Sequence, residues 1–93
     1  MTKVKVKLFG PFRDLFGGRE LEFELPAEVR LRDLLRRLCD TSEREKQVFA
    51  GQEVLQPHVI IMKNGIPVPR PGGLETPLQG GDIIAIFPFL GGG

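Results

Sequence analysis

The chain has 93 residues, 41% hydrophobic and 27% charged, with a formal net charge of +1. That length fits one domain burying roughly 60–65% of its unfolded surface, enough for a modest core and too little for a deep enzyme cleft. The balanced charge offers no field to gather nucleic acid or an anionic membrane, so neither is expected as a partner.

No apolar run nears the ~20 residues of a membrane span, and Lys3, Lys5 and Lys7 interrupt any signal-peptide core. The sequence therefore reads as cytoplasmic. A single cysteine, Cys39, permits no internal disulfide, in keeping with a reducing compartment.

Residues Lys3 to Phe9 alternate strictly, with Val4, Val6 and Leu8 on one face and Lys3, Lys5, Lys7 and Phe9 on the other. That period of two predicts a half-buried strand, with an aromatic at the end of its lysine face. Gly10-Pro11 stops it, and Phe12 to Phe16 makes a helical turn or a tight loop closed by Gly17-Gly18. Glu20 to Leu25 alternates again, with Leu21, Phe23 and Leu25 inward, so the two runs are expected to pair as an antiparallel hairpin.

After Pro26, the leucines Leu31, Leu34, Leu35 and Leu38 fall at i, i+3, i+4 and i+7, the stripe of an amphipathic helix. Arg30 stands at its N-cap position, where arginine is a poor cap. Asp33 is spaced to reach Arg36 or Arg37. Glu43 to Phe49 suggests a second helical turn, and Gly51 to Gln56 reads as loop.

Pro57 opens a third strand, His58 to Lys63, whose four consecutive apolar residues imply cover on both faces or contact with a partner. Asn64-Gly65 is a strong hairpin signal toward a short strand at Ile66 to Val68, which Pro67, Pro69 and Pro71 confine to a sheet edge. Gly73 to Leu78 is read as a loop that tucks Leu74 and Leu78 inward.

Gly80-Gly81-Asp82 turns the chain into a last strand, for which Ile84 and Ile86 are assigned inward. Phe87 then shares the open face with Phe9, Lys5 and Lys7. Paired exposed phenylalanines point to a docking surface unless a loop covers both rings. One principal helix can cover only one face of the sheet, so the fold class is α+β.

Catalytic chemistry is sparse. One cysteine and one histidine cannot build a metal site, and no bound cofactor is expected. Cys39 beside the leucine stripe reads as a small core residue, since no general base is evident near it. Gly17-Gly18 lacks the lysine and hydroxyl residue of a phosphate-binding loop. The chain itself is therefore not expected to be an enzyme.

The end is different: Phe87-Pro88-Phe89-Leu90 runs directly into Gly91-Gly92-Gly93. Three glycines form either a frayed end or a backbone thin enough to thread a narrow channel, reaching ~10 Å. A terminal carboxylate is a poor electrophile. Joined to a nucleotide as a mixed anhydride it becomes acyl-reactive, and a sulfur nucleophile then yields a thiocarboxylate.

The segment Phe9-Gly-Pro-Phe-Arg-Asp-Leu-Phe-Gly17, the Asn64-Gly65 turn, the Gly73-Leu-Glu-Thr-Pro-Leu78 loop, Gly81-Asp82 and the Phe87 to Gly93 ending together resemble the MoaD/ThiS-type ubiquitin-like sulfur carriers, MoaD most. Two positions depart from that pattern: Gly91 replaces the commoner small residue, and Phe89 stands where a second proline is frequent.

The resemblance implies a β-grasp domain over residues 1–90, a mixed sheet of four to five strands with one main helix on one face, followed by a flexible tail at 91–93. It further implies that Gly93 is adenylated by a ubiquitin-activating-like adenylyltransferase using ATP. A sulfur donor protein would then convert the adenylate to a thiocarboxylate. Gly91 and Gly92 would belong to the tail, and Phe9, Phe87, Pro88, Phe89 and Leu90 to the docking segment for the large subunit of molybdopterin synthase. The alternatives are a modifier joined to lysines through Gly93, and a sulfur carrier for thiazole or another product. Helix and loop lengths resemble the pterin branch more than the shorter thiazole carriers.

Overall fold

The computed structural model describes residues 1–52, 54–70 and 72–89. Strands β1 (Thr2–Leu8) and β2 (Glu20–Leu25) form the expected antiparallel hairpin, with Val4 opposite Phe23 and Val6 opposite Leu21. Their connection is a short helix, α1 (Pro11–Phe16). Pro11 occupies its first position, where a missing N–H leaves no bond unmade. Phe12 and Phe16, one turn apart, both enter the core. Gly17 ends the helix at φ 83, and the N–H groups of Gly17 and Gly18 both donate to the Arg13 carbonyl at 2.9 Å. A side chain would resist that left-handed conformation.

Helix α2 (Leu31–Leu38) buries all four leucines of its stripe. Its weak N-cap residue is offset by its neighbours. The Arg30 N–H donates to Asp33 Oδ2 at 2.9 Å, and the Leu31 N–H donates to the Thr76 carbonyl at 2.8 Å. Thr76 follows a 3₁₀ turn (Gly73–Glu75), whose Glu75 carboxylate also accepts from the Arg30 and Arg32 guanidinium groups at 2.7 and 2.8 Å. The late loop thus serves as the cap that the local sequence lacks.

Helix α3 (Ser42–Val48) starts at Thr41, whose Oγ1 accepts the Arg44 N–H at 3.2 Å. Beyond it the expectation of a loop over 51–56 needs correction. Strands β3 (Phe49–Gly51) and β4 (Val54–Leu55) form a small antiparallel ladder of their own. Runs of three and two residues are too short to show a period, so only the pairing reveals them.

The chain then makes β5 (Val59–Lys63), turns through Asn64 and Gly65 at φ 52 and 84, and returns as β6 (Ile66–Pro67). The last strand is β7 (Ile83–Pro88). The sheet order is β2-β1-β7-β5-β6, with β1 and β7 parallel and the other pairs antiparallel. Five strands with α2 against one face make the β-grasp fold.

Val4, Val6, Leu8, Val59, Ile61, Ile84 and Ile86 point toward the α2 leucines in one continuous core. Leu78 is buried and Leu74 packs at the margin, as the loop reading required. Among the described residues, no helix is long and apolar enough to cross a membrane.

Asp82 fixes the entry to β7. Its carboxylate accepts the Gln79 N–H at 2.8 Å and the Asn64 side-chain amide at 3.0 Å, while the Asn64 carbonyl oxygen accepts the Ile83 N–H at 2.9 Å. Asp82→Ala is expected to lower unfolding stability by about 1.5–3 kcal/mol, the range for hydrogen bonds to a charged group. Urea denaturation checks this; an unchanged midpoint would show that the turn holds without the carboxylate.

Cys39 lies in the core, and burial, with Glu45 adding to it, pushes its thiol from 9.0 up to about 12. The protonated form is favoured in the fold, so its contribution to stability is intact below about pH 8.5 and is lost as pH rises toward about 12. The native thiol should resist alkylation at pH 8 and react freely once urea unfolds the chain.

Candidate docking face and tail exit

The open face of the sheet is divided by its own register. On the β1–β2 half, Lys3 opposes Glu24, Lys5 opposes Glu22 and Lys7 opposes Glu20. Opposite charges across strands contribute about 0.2–1 kcal/mol per pair. The one close contact, Lys5 Nζ to Glu20 at 3.4 Å, is diagonal and solvated.

On the β7–β5 half the same face is apolar. Ile60 opposes Phe87, Met62 opposes Ala85, and Ile83 lies beside Lys5. Ile84 and Ile86 face the opposite way and are excluded from water, as assigned from the alternation.

Phe9 and Phe87 meet edge to face, with ring centroids 5.9 Å apart and planes at 84°. That geometry favours an aromatic pair beyond its buried area. The Arg13 guanidinium lies 5.7 Å from the Phe9 centroid, and its Nε donates to the Leu8 carbonyl at 3.1 Å. Phe9 therefore covers Phe87 in part, with Arg13 stacked on Phe9; Phe87 is half-buried, while Phe9 itself stays 39% exposed. Phe89 follows at 62% exposure. Among the described residues, no loop shields both rings.

Pro88 leaves the sheet against Gly10. A Cβ on Gly10 would lie 3.2 Å from Pro88 Cγ, and Gly10 holds φ 60 with ψ −141, a conformation that only glycine adopts without strain. The Phe89 N–H then donates to the His58 carbonyl at 2.6 Å. Phe9, Phe87, Pro88 and Phe89 are thus brought together at one corner of the sheet, while Leu90, Gly91, Gly92 and Gly93 lie outside the described residues.

Three members of this corner were not marked as site residues from the sequence. Ile60 and Met62 belong to the two-sided apolar run of β5, a visible signal, but their alignment with Phe87 and Ala85 depends on a register that only the fold supplies. Gly10 ends the first strand and lies in the Phe9–Gly17 segment, but neither feature marks it as the seat of Pro88.

The comparisons with known proteins agree with this geometry. The model of the ThiS family matches residues 6–93. The chain belongs to the ThiS family. Its relatives include small archaeal modifier protein 3 of Haloferax volcanii, 30% identical, with 98% of this chain and 99% of that protein aligned. A solved structure of small archaeal modifier protein 1 from Methanosarcina acetivorans superposes with a TM-score of 0.79 at 33% identity, covering 100% of this chain and 98% of the other. A Pyrococcus furiosus structure assigned as molybdopterin converting factor subunit 1 gives a TM-score of 0.75 at 36% identity, covering 95% and 98%.

The ThiS-family chain is therefore a ubiquitin-like member of a group of small sulfur carriers and modifiers. Members of that group are carrier subunits, with catalysis residing elsewhere.

In this ThiS-family domain, Phe87→Asp should leave the melting transition nearly intact, because the ring is already half in water. Binding to a partner that covers the face should weaken by at least ~2 kcal/mol, as for a desolvated aromatic anchor. Thermal denaturation and titration calorimetry measure the two effects. Unfolding of the variant would make Phe87 a core residue and remove it from the docking face.

Proposed function

We propose that this protein is a sulfur carrier that works through Gly93 as the small subunit of a molybdopterin synthase. The observation that carries the reading is the course of the chain: the strand feeding the glycine run is central in the sheet, and it emerges beside an exposed aromatic corner. A rigid root at a docking face followed by a narrow backbone suits delivery into another protein's pocket. The 36% identity to the subunit assigned in Pyrococcus furiosus supports the choice of branch and of a large-subunit partner.

The chemistry follows from an unreactive carboxylate, ionised at neutral pH. A Gly93 carboxylate oxygen attacks the α-phosphorus of ATP on an adenylyltransferase, and pyrophosphate leaves. A sulfide equivalent from a sulfur donor protein then attacks the acyl carbon, and AMP departs with the oxygen that joined it to the chain. The resulting thiocarboxylate carries its sulfur to a pterin precursor held by the large subunit. This chain contributes the acyl group, its presentation and the docking face.

A second reading has its own support. The full-length match to small archaeal modifier protein 3 favours conjugation, in which a lysine amine attacks the same adenylate, AMP leaves and an isopeptide bond forms.

Incubation with an activating enzyme, ATP and a sulfur source, followed by intact mass measurement, separates the two. Replacement of one oxygen by sulfur is the expected result; ladders of conjugates without that replacement would favour the modifier. Deleting Gly93 should abolish sulfur loading at an unchanged melting temperature, and retained loading would contradict the assignment of the acyl handle.

A further inference from the structure

The root of the tail is held by a backbone bond that lies one step beyond the strand. The Phe89 N–H donates to the His58 carbonyl, extending the Val59–Pro88 register by one residue. His58 belongs to a turn from Gln56 to Val59, closed by the Val59 N–H donating to the Gln56 carbonyl at 3.0 Å. A turn of this kind, preceding a strand and containing Pro57, has little regular structure to keep it in place.

Side chains fasten it from two directions. The Gln56 N–H donates to the Val48 carbonyl at 2.8 Å, and its side-chain amide donates to the carbonyls of Lys46 and Phe49 at 3.0 and 3.2 Å. From the far side, the Arg70 guanidinium donates to the carbonyls of Gln56 and Val59. Arg70 comes from the proline-interrupted segment after β6, and neither it nor Gln56 belongs to the docking face.

We propose that Gln56 and Arg70 are positioning residues for transfer at the chain terminus, holding the turn whose His58 carbonyl anchors Phe89 and so fixing where the tail leaves the sheet. The proposal rests on the reading of Gly93 as the acyl handle. Four residues separate Phe89 from the terminal carboxyl, a reach of at most about 14 Å. A root already ordered in the free protein loses less freedom when the tail enters a pocket, which is the advantage of preorganisation. A root released from His58 must be ordered again at every encounter.

That cost appears in binding and not in chemistry, so KM should carry it. The seat of Pro88 on Gly10 restrains the strand one residue earlier, and it leaves the Phe89 N–H dependent on the turn.

The test uses the full chain with Arg70→Gln, Gln56→Ala and Arg70→Lys. Amide exchange by NMR should show Phe89 exchanging at least about tenfold faster in the first two variants, with Ile84 and Ile86 unchanged because the core is intact. In ATP–pyrophosphate exchange with an adenylyltransferase that loads the wild type, KM for both should rise about fivefold to tenfold while kcat stays within about twofold. Arg70→Lys should restore most of both values, since an ammonium can still donate to a carbonyl. Unchanged Phe89 exchange in Arg70→Gln and Gln56→Ala would overturn the proposal, as would faster exchange without a rise in KM. A wild-type chain that no adenylyltransferase loads would instead remove the reading of Gly93, and the positioning role with it.

Discussion

The parallel pairing of β1 with β7 is the constraint on which the rest of the molecule depends. It places the last strand between β1 and β5, with neighbours on both edges and with Ile84 and Ile86 fully excluded from water. Detaching the end of the chain would therefore open the middle of the sheet and strip the α2 leucines of their cover. Most chains end at a loose margin. Here the last regular element, β7, is among the most deeply packed. An acyl handle needs that contrast: a root that stays put and an end without bulk.

The same pairing decides what the open face can offer. Because β1 carries lysines outward and β2 carries glutamates, their half of the face is a solvated charge lattice that contributes little to stability. Because β7 and β5 carry apolar residues on both faces, their half presents Phe87, Ile60 and Met62, with Phe9 packed edge to face on Phe87. A partner docking on this face would draw its energy from the second half, where rings and methyl groups can be desolvated, and its orientation and encounter rate from the charges of the first. β7 reaches Phe89 at the edge of the apolar half, beside Phe9 and Phe87.

Much of this was legible in the sequence. The alternation of Lys3 to Phe9 and of Glu20 to Leu25, the spacing of Leu31, Leu34, Leu35 and Leu38, and the choice of Ile84 and Ile86 as inward all follow from periods that burial enforces. What escaped was short or distant. The β3–β4 ladder has too few residues to display a period. Arg30 is a poor cap by its own side chain, and the helix start is satisfied instead by Asp33 and by the carbonyl of Thr76, which lies far along the chain. Gly10 stood out as a strand terminator within the Phe9–Gly17 segment; its role as the seat of Pro88 depends on two distant parts of the chain meeting. The contact of Phe9 with Phe87 was placed by face, and the parallel register supplied the distance.

The central claim is that partner enzymes load and unload the terminal carbonyl of a domain that does not otherwise change. NMR of a chain carrying ¹³C at the glycine carbonyls, recorded before and after treatment with an adenylyltransferase, ATP and a sulfur source, tests it most directly. The account predicts that one carbonyl resonance, that of Gly93, moves while those of Gly10, Gly17, Gly65 and Gly81 stay in place. A Gly93 resonance that never moves, or a displacement spread across those turn glycines, would contradict it.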